Sequence, residues 1–269
     1  MTSAATHPHL RGTGRNSATG TSRTGGHQPR VTNREKSGEA ELLDAQVWMA
    51  LATVRDPELD QPVTELGFVT SAEVDGARVR VRLRLPTYFC APNFAYLMVA
   101  DAHDALRAIP GVSEVDVQLA DHFAAEEINQ GVAEGAGFAG AFPAQATGEL
   151  TELRMTFRRK AHLACLERAC RKLLASGWRI DELAHVQLAD LPDSPERASL
   201  VRRRVELGLP TDDTSHLFTD DDGNPVEPGT VAGRLRFAKA VRVSVDGNAA
   251  FCRGLLRTRY PEIAEEEAL

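Results

Sequence analysis

The sequence predicts an α/β fold followed by a mainly helical C-terminal region, and three patterns support this. Alternating apolar and polar residues over 68–85, interrupted by the turn signal Asp75-Gly76, predict a β-hairpin. An apolar stripe at helical spacing over 92–108 and an alternating run over 112–119 predict a helix and a third strand. A strand–helix–strand unit of this length implies a right-handed crossover and a parallel strand pair. We expect a small sheet with helices on one face.

The first element is a helix that precedes the hairpin, with order beginning near Ala40. Its apolar residues recur at helical spacing: Leu43, Val47, Ala50, Leu51 and Val54. The sequence Asp56-Pro57-Glu58 should end this helix, because the residue before a proline disfavours helical geometry.

The second hairpin strand alternates strictly, which indicates one buried and one hydrated sheet face. Its apolar side comprises Val79, Val81, Leu83 and Leu85, and its polar side comprises Arg78, Arg80, Arg82 and Arg84. We expect the arginine face to be solvated and to pair with Glu114 and Asp116 on the third strand.

In the second half of the chain, the sequence pattern predicts a helix over 151–175 and another from Ser194 to just before Gly208, with Pro195 in its first turn. The acidic run at 220–224 predicts a turn rather than a calcium loop, because the ligand spacing is wrong. A short strand is expected at 241–245, followed by a last helix that Asn248 caps and that ends at Arg259.

These elements suggest four segments. Residues 1–38 form a basic tail expected to be disordered, with a transit peptide as the less favoured alternative for an Arg- and Ser-rich head. Residues 39–130 form the α/β domain, 131–150 a Gly/Ala-rich linker, and 151–269 a helical domain.

Composition excludes several functional classes. Residues 1–34 carry five arginines and no acid, so the formal net charge of −7 leaves −12 on the remainder. An acidic body argues against nucleic-acid binding, and no apolar run approaches the roughly 20 residues that a membrane helix needs. Four cysteines in 269 residues do not form a disulfide framework, which favours a cytoplasmic location.

Cys90, in the stretch LPTYFCAPN, lies between the second strand and the following helix. Pro92 suits a first helical turn, which places the thiol beside unpaired backbone N–H groups that favour the thiolate. The alternative is a small core residue covered by Phe89 and Phe94.

The order of motifs around this cysteine resembles the small iron–sulfur assembly domain of SufT- and PaaD-type proteins over about residues 41–125. The motifs are DPE, VTELGFV, PTYFCAP and IPGVSEVDVQL. PTY before the cysteine is most similar to the PaaD branch, which is associated with oxygenase systems. The family's usual glycine beside the cysteine is Phe89 here.

The resemblance implies a maturation factor for iron–sulfur or other metal centres and not an enzyme. It makes Cys90 the candidate transient ligand of a cluster or of iron, with none bound tightly. Asp56, Glu58 and Thr87 are supporting residues, although helix termination and loop capping also explain the two acids. The implied partners are the cluster-assembly machinery and a client metalloprotein, with a metal-dependent oxygenase as the specific expectation.

A cluster normally takes four thiolates, so one cysteine suits a transient carrier, and a homodimer would supply a second thiolate. One alternative function is a metal-free adaptor or chaperone for an oxygenase subunit. Another is a thiol enzyme that uses Cys90, for which His103 and His122 are the nearest histidines in the sequence.

His162, Cys165 and Cys252 form a less favoured second metal site. Core packing is the preferred explanation for the helical cysteines, and Cys252 would join that site only through a tertiary contact.

Overall fold

The computed structural model describes residues 33–143 and 150–261. Most of the predicted basic tail and the end of the predicted linker lie outside the described residues. In the described part the order is α1 (Asn33–Leu51), β1 (Val69–Asp75), β2 (Arg78–Arg84), α2 (Pro92–Arg107), β3 (Glu114–Ala120), α3 (Ala125–Ala133), α4 (Gly137–Ala141), α5 (Thr151–Ala175), α6 (Pro195–Leu207) and α7 (Val231–Arg259). Short 3₁₀ turns occupy Glu182–His185, Leu188–Asp190 and Pro228–Thr230.

The sheet has the predicted topology. Strand order is β1-β2-β3, with β1 antiparallel to β2 and β2 parallel to β3 through the α2 crossover. Gly76 adopts φ +60° in the hairpin turn, a conformation that costs glycine little. Arg78 pairs with Glu114 at 2.6 Å across the parallel strands, so part of the expected cross-strand pairing is confirmed.

The first hydrophobic core lies between the helices and the apolar side of the sheet. The alternation of β2 places Val79, Val81 and Leu83 in this core and leaves the intervening arginines exposed. Helix α1 begins at Asn33, before the expected start near Ala40, and its buried side chains Val47 and Leu51 join the same core.

The segment expected to be a linker contributes instead to this first core. Val132 of α3 and Phe142, just after α4, are both buried. A Cβ atom at Gly131 would overlap that of Ala141, so α3 and α4 approach closely because the chain has small residues there. The Gly/Ala-rich composition therefore reflects tight packing up to Phe142, and residues 144–149 of the predicted linker lie outside the described residues.

A second core lies between α5, α6 and the loops that follow them. Its buried members include Leu173, Leu183, Leu188, Leu200 and Leu217.

Helix α6 has the predicted ends. The Ser194 hydroxyl accepts a hydrogen bond from the Arg197 amide at 3.2 Å, Pro195 occupies the first turn, and Gly208 has φ +69° after the last turn. The turn at 220–224 is also present, with Asp220 accepting backbone N–H groups of Asp222 and Asn224.

Helix α7 corrects two predictions. Residues 241–245 are helical and not a strand, and Asn248 lies inside the helix rather than at its cap. Alternating valines suggested the strand, but an i,i+4 ion pair between Arg242 and Asp246 at 2.7 Å supports the helix here.

This helix also joins the two cores. Val231 at its beginning is buried in the second core, whereas Ala249 and Leu256 near its end are buried in the first. The C-terminal region is thus not an independently packed unit, because the last three turns of α7 complete the core of the α/β domain.

Candidate functional site around Cys90

Cys90 lies in the loop that connects β2 to α2, directly before the beginning of that helix. It is free and partly exposed, and it is not sealed beneath the aromatic side chains around it. Pro92 occupies the first turn of α2, and no side chain caps this end of the helix. The Thr87 hydroxyl lies 3.3 Å from the Cys90 sulfur. The sulfur therefore has a hydrogen-bonding partner and remains open to an approaching group.

His122 fixes the backbone of this cysteine. Its Nδ1 accepts a hydrogen bond from the Ala124 amide at 3.2 Å, which leaves the ring proton on Nε2. Nε2 then donates to the Cys90 carbonyl oxygen at 2.8 Å. Burial lowers the pKa of His122, which favours this neutral form. His122 therefore positions the loop through the carbonyl and does not contact the thiol.

Three exposed aromatic side chains on the Cys90 loop and the neighbouring His122 loop form what we call the aromatic patch: Tyr88, Phe89 and Phe123. Their ring centroids are 5.1 to 6.3 Å apart. Phe89 is 77% exposed, so the bulky residue next to the cysteine points away from the core. A cluster of exposed aromatic side chains of this kind indicates a protein interaction surface.

The loop after α1 carries the acidic motif. The Asp56 carboxylate accepts the backbone N–H groups of Glu58 and Leu59, each at 2.8 Å, which confirms its capping role. Burial nevertheless raises the pKa of Asp56 to about 6, although these two hydrogen bonds lower it. The same loop is held from the other side by an ion pair between Asp60 and Arg203 of α6.

The last turns of α7 lie over this acidic loop. Asn248 donates to the Glu58 carboxylate at 3.2 Å, and Arg253 donates to the Gln61 side chain. A Cβ atom at Gly67 would lie only 3.3 Å from the Leu256 side chain, so the helix approaches the chain closely at that point.

The end of α7 also contacts the cysteine loop. Arg259 donates to the carbonyl oxygens of Leu85 at 3.1 Å and Asp121 at 2.6 Å, and these residues precede Cys90 and His122 respectively. Tyr260 donates to the Asp121 carboxylate at 3.0 Å. One helix therefore holds both the acidic loop and the loop that carries the thiol.

Cys252 lies on the same part of α7 and is partly exposed. Burial raises the pKa of its thiol to about 11, and the negative charges of Asp56 and Glu58 act in the same direction. Asn248 and Arg253, on either side of Cys252, bond Glu58 and Gln61, so this part of α7 lies against the acidic loop.

The second predicted metal site does not form. Cys165 is buried in the second core and its sulfur lies 3.8 Å from the Asp60 carboxylate, whereas Cys252 packs against the first core. His162 instead lines an apolar cavity of about 440 Å³ between α5 and the beginning of α7. Within the described ranges no three His, Cys, Asp or Glu residues form a group that could hold a metal ion.

Sequence reasoning missed two features of the site. His122 was considered only as a base for the thiol, and the contacts of Arg259 had no local signal at all. His122 follows the third strand, at the sheet edge where the second strand also ends. This position could have indicated that His122 lies near the Cys90 loop.

Comparison with known proteins agrees with the geometry. Residues 44–117 match the model of a family described as "Iron-sulfur cluster assembly protein". An iron–sulfur cluster carrier protein of Deinococcus radiodurans is 36% identical over 70 residues, which cover 26% of this chain and 19% of that protein. An uncharacterized protein of Methanocaldococcus jannaschii is 29% identical over 82 residues, 30% of this chain and 84% of that protein.

The chain thus spans about a fifth of the length of the carrier protein. Among the helices described, none combines the length and the apolar character needed to cross a bilayer. The matched segment contains the acidic loop, the hairpin and Cys90, all in the arrangement described above. The chain carries an iron–sulfur cluster assembly domain.

Proposed function

We propose that this protein is an assembly factor that holds an iron–sulfur cluster or iron transiently at Cys90 and passes it to a client metalloprotein. The observation that carries the proposal is the partly exposed thiol directly before α2, in a domain of the assembly family. A thiolate at such a position is the form that binds metal.

The donor set suits cargo and not a resident cofactor. A stable iron–sulfur centre normally takes four thiolates, and the part of the chain that the structure describes contains no complete metal-binding group. A cluster bound here keeps positions for ligands from a client or a small thiol. Incomplete ligation by the carrier is what permits transfer.

The aromatic patch is where we place the client. Tyr88 and Phe89 directly precede Cys90, and Phe123 follows His122, which bonds the Cys90 carbonyl, so a protein docked on these exposed rings would lie near the cargo. Aromatic residues contribute strongly to protein–protein binding. The PaaD-like PTY sequence favours a metal-dependent oxygenase as the client.

The proposed role is non-enzymatic and cytoplasmic. His122 bonds the carbonyl and not the sulfur of Cys90, which argues against a thiol nucleophile activated by histidine. The four cysteines are all free, as expected in a reducing compartment.

Anaerobic reconstitution of the full chain with ferrous iron and sulfide tests the proposal. We expect visible sulfide- and thiolate-to-iron absorption that Cys90→Ser abolishes. Cys170→Ala, which removes a buried thiol of the second core, serves as the matched control and should retain the absorption.

Equal absorption in Cys90→Ser and the unmodified chain would contradict the proposal. The exposed aromatic patch also suits a metal-free adaptor that binds a metalloprotein subunit through its surface. That second function is favoured if the chain acquires no absorption while still binding a client in a manner that depends on Phe89.

A further inference from the structure

The cavity of about 440 Å³ in the C-terminal region lies between α5, the end of α6, the beginning of α7 and the chain that connects these two helices. Its lining is mainly apolar and includes Leu166, Leu207, Phe218 and Phe237. Leu166 and Phe218 are buried in the second core, whereas Phe237 is 62% exposed, so the cavity extends from that core to the surface. A concave site of this volume and lining is typical of those that bind small molecules.

Two polar atoms on residues that line the cavity are buried and have no hydrogen-bonding partner among the described residues: His162 Nε2 and Thr219 Oγ1. A buried polar atom without a partner costs free energy, and most such atoms in folded proteins are paired. Burial lowers the pKa of His162 to about 4, so its imidazole is neutral at physiological pH. Nε2 then donates or accepts according to the tautomer, and the threonine hydroxyl does either. A ligand hydroxyl, which also donates and accepts, suits both atoms.

The charged side chains of the lining balance one another. Two are arginines, Arg159 and Arg234, and two are acids, Asp220 and Asp221. Arg159 forms an exposed ion pair with Asp221 at 3.9 Å. Because the two signs are equal in number, the lining does not select an anion or a cation, and it favours a neutral ligand.

We propose that this cavity binds a neutral, mainly apolar small molecule that carries a hydroxyl group. The apolar part of the ligand packs against Leu166 and Phe218, and its hydroxyl group pairs with His162 Nε2 and Thr219 Oγ1. The site is separate from Cys90. The cavity lies at the beginning of α7, and Arg259, which contacts the Cys90 loop, lies roughly 40 Å away at the other end of that helix. The proposal therefore does not depend on the proposed function.

Gly233, in the first turn of α7, offers a way to block the cavity without changing either core. It lines the cavity, and a Cβ atom there would meet only the end of the Arg236 side chain, at 3.9 Å. Phe237, four residues later, also lines the cavity, so a side chain at 233 lies on the same face of the helix. Gly233→Leu should weaken ligand binding about tenfold or more. Gly247→Leu, in open space on the same helix and outside the cavity, is the matched control.

The probe is 2-naphthol, which is neutral at pH 7, mainly apolar and fluorescent. We would titrate it with the full chain and then displace it with 2-methylnaphthalene, which has nearly the same shape and no hydroxyl group. The ratio of the two affinities measures the preference for the hydroxyl group independently of the apolar contacts. We expect saturable binding of one 2-naphthol molecule per chain.

A double variant, His162→Phe with Thr219→Val, removes both unpaired atoms. It should shift the preference about tenfold toward the hydrocarbon. Its stability in thermal unfolding should be no lower than that of the unmodified chain, because two buried polar atoms without partners are lost. His216→Phe is the control, because His216 Nδ1 is also buried without a partner in the described part of the chain and does not line the cavity. This control should keep the original preference.

Three results would contradict the inference. No saturable binding of 2-naphthol to the unmodified chain would overturn the site. Equal binding by Gly233→Leu and Gly247→Leu would also overturn it, because the probe would then lie elsewhere. An unchanged preference in the double variant would overturn the hydroxyl group as the feature that the cavity recognises.

Discussion

Replacement of Asp56 by asparagine should stabilise the protein at neutral pH and not at acidic pH. Asp56 is only 8% exposed, and burial raises the pKa of its carboxyl from 3.8 to about 6 in the folded state. The folded state therefore binds a proton more tightly than the unfolded chain. The stabilisation that the protonated Asp56 carboxyl contributes is complete below about pH 4 and is lost as the pH rises through 6.

The magnitude follows from the difference between the two pKa values. One pKa unit corresponds to about 1.4 kcal/mol, so ionising Asp56 in the folded state costs about 3 kcal/mol above pH 6. Asparagine keeps an oxygen that can accept the Glu58 and Leu59 amides, and it carries no charge. The variant should thus gain about 3 kcal/mol relative to the unmodified chain between pH 4 and pH 8.

Urea unfolding followed by circular dichroism at several pH values between 4 and 8 measures this change. Asp75→Asn is the control, because it removes an acid from the exposed hairpin turn and keeps a residue suited to that turn. A stability difference between Asp56→Asn and the unmodified chain that stays constant over this range would refute a carboxyl whose pKa is raised by burial.

Two further predictions concern the loop and the packing of the first core. His122→Phe removes the donor to the Cys90 carbonyl and the acceptor of the Ala124 amide, so we expect a loss of about 1–3 kcal/mol per unpaired group and faster alkylation of Cys90. Because burial lowers the pKa of His122, the unmodified chain should also lose stability as the pH falls through about 6.5, a loss absent from the variant. Gly131→Ala should lower the free energy of urea unfolding by about 1–3 kcal/mol, because its Cβ would overlap Ala141. Gly254→Ala, in open space on α7, should raise it by about 0.5–1 kcal/mol. Equal effects of the two changes would contradict this packing.

Local patterns were sufficient where each element carries its own signals. The strict alternation of β2 and the turn at Gly76 predicted the hairpin, and Ser194, Pro195 and Gly208 predicted both ends of α6. In these cases the residues that decide the structure lie within a few positions of it, so no tertiary contact was needed to interpret them.

Composition misled where packing decides the structure. The Gly/Ala-rich stretch after Gly131 resembles a flexible linker, but its small residues allow α3 and α4 to pack closely. Likewise Val241, Val243 and Val245 alternate as in a strand, yet the ion pairs of Arg242 with Glu167 and Asp246 stabilise them within a long helix. β-branched residues have only a weak preference that tertiary contacts readily override.

The surroundings of the Cys90 loop include residues that the family match does not contain. The matched segment ends at residue 117, yet the Cys90 carbonyl is held by His122 and the start of its loop by Arg259. Loss of the buried Leu256 side chain would therefore weaken the hold of Arg259 on the loop while leaving every residue of the matched segment unchanged. The matched segment supplies the Cys90 thiol, and α7 holds the acidic loop through Arg253 and the cysteine loop through Arg259.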